Sequence, residues 1–318
     1  MSHSAEHIPI SDHFLSNQLV EEMQADIRGR FLINEPMSGH TSFRIGGPAS
    51  LYAYPGSIED VSKLIKFCVS KGIQYTIIGY GTNMLVSDMG FDGCVIDLAE
   101  SCRNIDIDGN RLIAGAGQWG NDIVRKAAEN GLGGLEKLSG IPGGLGGWLK
   151  MNCGAFGSSI SDHLISTNVI CNEGKIQTIS KHDAKYSYRS STGLDGKTIF
   201  GAEFLLVPEK SEKLLQVVED TITERYRRNI MTLPSAGSLF KNPPDNYAAK
   251  LIESVGGKGM QFGGMEISPS HANFAINTRG GTASDVVDLI NTIKMLVQDN
   301  HNIELELELQ LLGFNDEI

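Results

Sequence analysis

A glycine-rich stretch, Gly140–Gly157, is the part of the sequence best suited to hold an anion. Seven of its eighteen residues are glycine, against 37 in the whole chain of 318. Glycine costs a regular helix or strand roughly 0.5–1 kcal/mol relative to alanine, so neither element should collect so many. Backbone N–H groups approach a phosphate closely where no Cβ intervenes. The stretch therefore predicts a cradle for a nucleotide or cofactor, with a tight turn packed against a neighbour as the alternative.

A second glycine motif, Gly115-Ala-Gly-Gln-Trp-Gly120, matches the dinucleotide fingerprint G-x-G-x-x-G between a predicted strand and a predicted helix. A Rossmann unit needs a second parallel strand after that helix, ending in an acidic residue that binds the ribose. Here the helix leads through residues 131–136 into more glycine, with no strand between them. We therefore do not expect a Rossmann domain.

The first third of the chain has the pattern of an α/β unit that could position a glycine loop. The loop in question is Gly79–Asp88, which follows a buried strand and precedes another. The predicted elements are, in order, a helix from Gln18 to about Arg30, a strand at Leu51–Tyr54, a helix capped by Ser57 with Asp60, and strands at Tyr75–Ile78 and Cys94–Leu98.

From about Arg103 the pattern becomes richer in strands. Alternation predicts hairpins that turn at Gly109-Asn110 and at residues 172–174, and the last third mixes both element types. The other predicted elements are a helix over 121–129, a strand over 199–207, a helix over 210–228, a helix from about Asn246, a strand over 271–277, a helix over 282–300 and a strand over 303–311.

Composition limits the classes of function. The net charge of −11 at pH 7 argues against nucleic-acid binding, although a local arginine cluster could still hold an anionic small substrate. The five cysteines form no Cys-x-x-Cys pair, and we expect no metal site. The first residues lack the pattern of a signal peptide, and no run of about 18 apolar residues occurs. We expect a cytoplasmic enzyme with no membrane contact.

Several motifs in combination resemble known flavoenzymes. Thr76–Asp88, Gly140–Gly147 and Met151–Gly157 resemble the flavin fold of the vanillyl-alcohol-oxidase and p-cresol-methylhydroxylase type. Together with Tyr188-Arg189-Ser190, Ser235–Pro243 and Leu305–Glu308, they resemble the UDP-N-acetylenolpyruvoylglucosamine reductase family over roughly residues 30–313. The short interval between Arg189 and Ser238 is similar to the compact subclass that lacks an inserted substrate-capping loop.

This resemblance implies an α+β fold, with a two-lobed FAD-binding domain followed by a smaller α+β substrate-binding domain. We expect a flexible N-terminus over residues 1–18, FAD-binding lobes over 19–98 and 99–223, and the substrate-binding domain over 224–318. The resemblance also implies non-covalent FAD, NADPH as co-substrate, and a monomer or weak oligomer. The implied reaction reduces the enolpyruvyl ether of UDP-N-acetylglucosamine to UDP-N-acetylmuramate, for peptidoglycan synthesis.

The implied chemistry needs a cation at the substrate carboxylate, where an enediolate develops, and an acid that protonates the α-carbon. The resemblance assigns Arg189 to the carboxylate, Ser238 to proton donation and Glu308 to the developing enediolate. If Glu308 donates a hydrogen bond it must be protonated, so burial should raise its pKa.

The residue pattern alone leaves each of these assignments open. Arg189 could be an ordinary surface arginine, and Ser235 competes with Ser238 by composition. Glu304 and Glu306 share the polar face of the predicted strand with the assigned glutamate, and a solvated face would account for them.

The resemblance further implies two sets of ligand contacts. Predicted cofactor contacts come from the glycine segments and one preceding arginine: Arg44, Ile78, Gly79, Tyr80, Gly81, Thr82, Asn83, Gly140, Ile141, Pro142, Gly143, Gly146, Gly147, Met151, Asn152 and Ala155. Predicted substrate contacts are polar, cationic or aromatic: Tyr188, Arg228, Lys241, Asn242, His271 and Asn273. For the cations, a basic helix end favoured by the helix dipole is the alternative.

The sequence departs from the family pattern in two places. Gln310 stands where the family usually has arginine, so one cation is missing or is supplied from elsewhere. In the loop Gly79–Asn83, Tyr80 and Thr82 stand where glycine and serine are common, and Thr82 keeps the hydroxyl. Two other functions remain open: a sugar or alcohol oxidase with covalently tethered FAD, and a nucleotide-binding module without catalysis.

Overall fold

The computed structural model describes residues 17–227 and 233–314. Its first lobe contains a sheet of order β1-β2-β5-β3, in which β1 runs antiparallel to β2 and the other neighbours are parallel. The elements are α1 (Asn17–Asp26), β1 (Gly29–Pro36), β2 (Pro48–Pro55), α2 (Ile58–Lys71), β3 (Tyr75–Ile78), β4 (Met84–Val86) and β5 (Phe91–Asp97). The predicted cap of α2 is confirmed, because the Ser57 side chain accepts the Asp60 N–H.

The predicted helix from Gln18 to Arg30 is wrong in its last part. The helix ends at Asp26, and residues from Gly29 onward form strand β1. Gly29 has a φ of +153°, and a Cβ there would lie 2.3 Å from the Tyr54 carbonyl oxygen. Strand β1 lies at the sheet edge without an alternating burial pattern, so its sequence shows no period of two.

The second lobe is built on an antiparallel sheet of order β12-β11-β15-β7-β6. The elements are β6 (Ile105–Asp108), β7 (Arg111–Gly115), α3 (Gly120–Glu129), β8 (Leu132–Gly133), α4 (Leu145–Lys150), β9 (Gly154–Ala155), β10 (Ser158–Ser159), β11 (Leu164–Ile170), β12 (Ile176–Ser180), β13 (Tyr186–Ser187), β14 (Ser190–Ser191), β15 (Thr198–Leu205), β16 (Val207–Pro208) and α5 (Ser211–Arg227). Strand β8 after α3 has two residues and pairs antiparallel with β16, which is not the parallel strand of a Rossmann unit.

The glycine-rich stretch is not entirely a loop, contrary to the prediction. Residues Leu145–Lys150 form the short helix α4, which includes Gly146 and Gly147. A Cβ at Gly146 would lie 3.1 Å from the Ala116 Cβ, so the turn packs closely on the segment after β7. Tertiary packing has overridden low helix propensity here.

The last part of the described chain contains α6 (Ala248–Ser254), β17 (Gln261–Phe262), β18 (Met265–Ile267), β19 (Ala275–Asn277), α7 (Ala283–His301) and β20 (Gln310–Leu312). The predicted strands over 271–277 and 303–311 are too long, because only β19 and β20 are regular strands in those regions. Between α7 and β20, an isolated bridge joins Leu307 to Phe240. The alternation of 303–311 therefore reflects alternating burial of an extended segment without a ladder.

Hydrophobic clusters cross the predicted domain boundaries. The largest runs from Val20 to Val218 and joins both lobes. A second combines Phe43, Ile45 and Leu85 with residues between 236 and 309. The boundaries at 98 and 223 stay predictions.

Strand pairing and helix capping both join the last part of the chain to the first lobe. Strand β20 pairs parallel with β4, and the Asp88 carboxylate accepts the Ala283 and Ser284 N–H groups at 2.8 and 2.9 Å. The first turn of α7 is thus capped from the first lobe.

Among the helices of residues 17–227 and 233–314, none is long and apolar enough for a membrane crossing.

Candidate active site

A cavity of about 550 Å³ lies where the two glycine segments face each other. One wall contains Ile78–Asn83 and another contains residues 141–147. Arg189, Ser238 and Glu308 line the same cavity. The structure thus brings the three predicted catalytic residues together with both predicted cofactor loops.

The loop after β3 requires glycine because its backbone packs directly against the backbone of residues 40–42. Gly81 has a φ of +58°, and a Cβ there would lie 2.0 Å from the His40 carbonyl oxygen. The Gly81 carbonyl accepts the Ser42 N–H at 3.0 Å, which fixes the loop. Across the cavity, a Cβ on Gly143 would lie 2.9 Å from Thr82 Oγ1.

Other glycines keep the cavity open. A Cβ built on Gly79 or Gly147 has no atom of the described residues within 4 Å, and both residues line the cavity. The space has the volume of an ordinary cofactor site, and its walls present backbone at close range. These features fit a nucleotide cofactor such as FAD.

Arg189 sits at the tip of the hairpin formed by β13 and β14. Its φ of +53° is uncommon for a residue other than glycine and directs the side chain into the cavity wall. Its Nε donates to Glu308 Oε1 at 2.9 Å, and its Nη2 donates to the Gly154 carbonyl at 3.3 Å. The side chains of Arg189 and Glu308 are only 23% and 15% exposed, so water screens this ion pair poorly.

Burial distinguishes Glu308 from the other glutamates of its segment. Glu304 and Glu306 are exposed, and Glu306 forms an ion pair with Lys241. Burial raises the pKa of the Glu308 carboxyl, and the charge and hydrogen bond of Arg189 oppose that rise without cancelling it. The expected upward shift of this pKa is confirmed.

Ser238 follows Gly237, which has a φ of +81°, and forms an isolated bridge with Phe274. The competing Ser235 does not line the cavity, and its buried Oγ has no hydrogen-bond partner among the described residues. The adjacent Leu239 carbonyl accepts the Glu308 N–H at 2.8 Å. This bond places the serine and glutamate segments side by side.

The structure separates the predicted ligand contacts into two groups. Those that line the cavity are Ile78, Gly79, Tyr80, Gly81, Thr82, Asn83, Ile141, Pro142, Gly143, Gly146, Gly147 and Met151. Those that do not line it are Arg44, Gly140, Asn152, Ala155, Tyr188, Lys241, Asn242, His271 and Asn273. Arg228 lies outside the described residues.

Several residues of the second group already have protein partners. The Asn273 amide group accepts the Phe240 N–H and donates to the Phe240 carbonyl, at 3.0 and 2.7 Å. Asn242 Oδ1 accepts the Ala248 N–H, and the Tyr188 hydroxyl accepts the Asn242 N–H at 3.4 Å. These bonds serve the architecture around the cavity, and the ligand contacts of these residues stay predictions.

Sequence reasoning missed several cavity residues. The cations Lys150, Lys197 and Arg225 line the cavity, although Gln310 contributes no charge there. Arg225 Nε donates to the Ser139 carbonyl at 2.6 Å, beside the start of the glycine-rich stretch. The basic end of α5 was a signal for a cation, but the sequence reading selected Arg228 instead.

Ala116 and Gly117 of the fingerprint-like motif also line the cavity. A Cβ at Gly117 would lie 2.4 Å from the Leu98 carbonyl oxygen, so close backbone packing requires this glycine. The motif is not a Rossmann fingerprint, as predicted, but its middle glycine, Gly117, does line the cavity.

Comparisons with known proteins agree with this geometry. A family model described as UDP-N-acetylenolpyruvoylglucosamine reductase, C-terminal domain, matches residues 228–312, and one described as FAD binding domain matches residues 49–180. The reductase of that name from Moorella thermoacetica is 37% identical over 295 residues, covering 93% of this chain and 97% of that protein. The one from Bacillus subtilis is 33% identical over 300 residues, covering 94% and 99%.

A solved structure shares the fold. The crystal structure of UDP-N-acetylenolpyruvylglucosamine reductase from Thermus caldophilus superimposes with a TM-score of 0.76 at 29% identity, covering 90% of this chain and all of that one. The predicted fold class is confirmed: an FAD-binding domain precedes a smaller C-terminal domain.

Proposed function

This chain belongs to the UDP-N-acetylenolpyruvoylglucosamine reductase family, and we propose that Arg189, Ser238 and Glu308 carry its chemistry. It is an FAD-containing oxidoreductase of peptidoglycan precursor synthesis. The observation that supports the three roles is the half-buried ion pair of Arg189 and Glu308, which lines one cavity with Ser238.

The residues that would hold FAD are those of the two facing glycine segments, Ile78–Asn83 and residues 141–147. When bound, FAD takes a hydride from NADPH and supplies it to the enolpyruvyl double bond. Cys153 also lines the cavity, but burial raises the pKa of its thiol and keeps the thiol protonated. A protonated thiol is a poor nucleophile, which supports non-covalent binding over a covalent tether.

Arg189 binds the substrate carboxylate in this proposal. Its bonds to Glu308 and Gly154 use two of the five guanidinium N–H groups. The planar fork can present others to a carboxylate and stays charged at any relevant pH. As hydride adds to the β-carbon, negative charge moves onto that carboxylate, and the fixed cation stabilises it.

Glu308 faces the same developing charge. Its carboxyl has a raised pKa because it is buried, and a substrate carboxylate on Arg189 would offset the charge that now holds that pKa down. The protonated carboxyl then donates a hydrogen bond to the enediolate. A glutamate in water could not do so at neutral pH.

Ser238 completes the reaction by giving its hydroxyl proton to the α-carbon of the enediolate. Serine is a weak acid, so it can act only against a strongly basic carbon held at short range. Its position on the cavity wall, beside the segment that carries Glu308, supports this role.

The test separates flavin reduction by NADPH from reoxidation of the reduced enzyme by the enolpyruvyl substrate. Ser238→Ala should leave the first rate nearly intact and slow the second about 10²–10⁴-fold, which is the usual contribution of a positioned acid. Ser235→Ala is the matched control, because Ser235 lies three residues away and does not line the cavity. Equal slowing of both rates in Ser238→Ala would refute proton donation by this residue.

The other parts of the proposal rest on the family and on the sequence. We infer that NADPH is the co-substrate and that the enzyme works in the cytoplasm as a monomer or weak oligomer. Acid precipitation should release free FAD, whereas flavin that stays with the precipitate would favour an oxidase with a covalent tether.

A further inference from the structure

Asn83 makes two hydrogen bonds to the segment that carries Glu308. Its side-chain Nδ2 donates to the Glu308 carbonyl oxygen at 3.0 Å. Its own backbone carbonyl accepts the Gln310 N–H at 3.1 Å. The residue that ends the glycine loop therefore holds the backbone of a candidate catalytic residue 225 positions away in sequence.

The Glu308 segment depends on such bonds because it is not part of a regular sheet at this point. Strand β20 begins only at Gln310, and the preceding pairing is the single bridge at Leu307. On its other side, the Glu308 N–H donates to the Leu239 carbonyl at 2.8 Å. The Glu308 peptide is thus held between the segment that carries Ser238 and the glycine loop.

The bond from Asn83 can affect the contact between the Glu308 side chain and Arg189. The Glu308 carboxylate accepts Arg189 Nε at 2.9 Å, so a small backbone shift changes the contact. Gln310 Nε2 also reaches the Glu308 carbonyl, but at 3.4 Å, which is a weaker contact. The Asn83 amide therefore makes the shorter of the two side-chain hydrogen bonds to the Glu308 carbonyl.

We propose that the Asn83 side chain is a positioning residue for Glu308, which it aligns with Arg189 by holding the Glu308 carbonyl. This inference rests on the function proposed above for Glu308. It adds a second role to the proposed place of Asn83 in the cofactor wall, since the side-chain amide is directed to protein backbone.

The experiment compares Asn83→Ala and the similarly shaped Asn83→Leu with Asn277→Ala. Asn277 is a matched control, because its Nδ2 donates to a backbone carbonyl at the same distance of 3.0 Å. The acceptor is the carbonyl of Phe43, which belongs to the first lobe. Neither Asn277 nor Phe43 lines the cavity. Both Asn83 variants should slow substrate-dependent reoxidation about 10-fold to 100-fold, as small misplacements do. Both rates are measured at saturating FAD, because Asn83 lines the cavity, and the slowing of reoxidation should exceed any slowing of flavin reduction by NADPH by at least about 10-fold.

The pH profile of reoxidation gives a readout that general destabilisation would not move. Burial raises the Glu308 pKa by more than the Arg189 contact lowers it, so a looser segment that loses both effects returns the pKa downward toward its ordinary value. A step that needs protonated Glu308 loses rate as pH rises through this pKa. The falling alkaline limb should therefore move to lower pH in both Asn83 variants and stay in place in Asn277→Ala.

The outcomes separate this inference from the function it rests on. If Glu308→Gln abolishes the alkaline limb but the Asn83 variants behave like Asn277→Ala, Glu308 keeps its role and the positioning role is wrong. Variants of Asn83 that hold no FAD even at saturating concentration would also overturn it, since the amide would then serve cofactor retention. A Glu308→Gln enzyme with unchanged reoxidation rate and pH profile would refute the proposed function itself.

Discussion

Two parts of the cavity are held in place by different means: the proposed flavin side, which is the loop of residues 78–83 and its neighbours, and the proposed catalytic side, which contains Arg189 and Glu308. The flavin side is fixed by backbone contact: a Cβ at Gly81 or Gly117 would lie 2.0 or 2.4 Å from a backbone carbonyl oxygen of the neighbouring segment. The catalytic side is fixed by side chains, chiefly the bond of 2.9 Å between Arg189 and Glu308. The flavin side therefore depends on glycines, which have no side chain, and the catalytic side depends on an ion pair.

This difference predicts how each side responds to substitution. A Cβ that clashes with a backbone atom cannot be accommodated by rotation of a side chain. A single substitution on the flavin side should therefore abolish FAD binding. Paired charges can be weakened in steps, and pH acts on them directly through Glu308. The predictions that follow test this contrast, beginning with the largest expected effect.

Gly81→Ala should yield a protein without bound FAD. The left-handed backbone alone costs alanine about 1–3 kcal/mol, and the contact of 2.0 Å with the His40 carbonyl adds to that cost. Absorbance of the purified protein in the visible flavin bands measures the loss. Gly39→Ala is the matched control, because its Cβ would meet no described atom within 4 Å. A yellow Gly81→Ala protein with wild-type FAD affinity would refute the backbone argument.

Arg189→Lys should keep FAD and lose about 10-fold to 100-fold in turnover, since one charged hydrogen bond contributes about 1.5–3 kcal/mol. An ammonium group cannot reproduce the geometry of a guanidinium that binds Glu308 and a carboxylate together. Steady-state kinetics with the enolpyruvyl substrate measure the change. Arg125→Lys serves as control, because Arg125 makes an exposed Nε contact with Glu129 on α3. Normal turnover in Arg189→Lys would remove Arg189 from the substrate carboxylate.

The pH dependence of reoxidation should fall on the alkaline side at a pH above the ordinary glutamate pKa. Burial raises the Glu308 pKa, so the protonated form persists to higher pH and is lost only as pH rises through the raised value. Stopped-flow rates across pH measure this limb. In Glu308→Gln the limb should disappear, because an amide donates a hydrogen bond at every pH. A limb of the same position in Glu308→Gln would assign it to another group.

Gln310→Arg should have the smallest effect. Gln310 lines the cavity two positions from Glu308, so an added cation favours the carboxylate and lowers its pKa. The alkaline limb should move to lower pH by less than about one unit, because Gln310 is exposed and water screens its charge. Gln310→Met, which adds no charge, should leave the limb in place. A shift to higher pH in Gln310→Arg would contradict the electrostatic account.

The sequence predicted the two sides of the cavity unequally. The glycine stretch indicated a cofactor cradle by composition alone, and strong periodicity located α2 and α7 well. Arg189 could not be distinguished from a surface arginine without the family resemblance, because its function depends on a hairpin that places it beside a residue 119 positions away. The residue pattern alone did not distinguish Glu308 from Glu304 and Glu306, and the structure shows that it is the least exposed of the three.

Other failures have a common physical cause. The predicted strand over 303–311 and the overlooked strand β1 both depend on which segments lie alongside, and sequence periodicity does not report partners. Arg225 was overlooked for Arg228 because the orientation of a helix end toward a cavity is set by tertiary packing.

The parallel pairing of β20 with β4 has a consequence for how modular this enzyme is. The cavity wall beside the glycine loop includes Gln310, Leu311 and Leu312, so the C-terminal domain supplies part of the proposed cofactor site. With Asp88 capping α7 from the other domain, each domain carries contacts that complete its neighbour. A chimaera that exchanged only the C-terminal domain would have to match β4, Asp88 and Asn83 as well. The two domains therefore cannot be exchanged independently, although the order of the domains along the chain would suggest that they can.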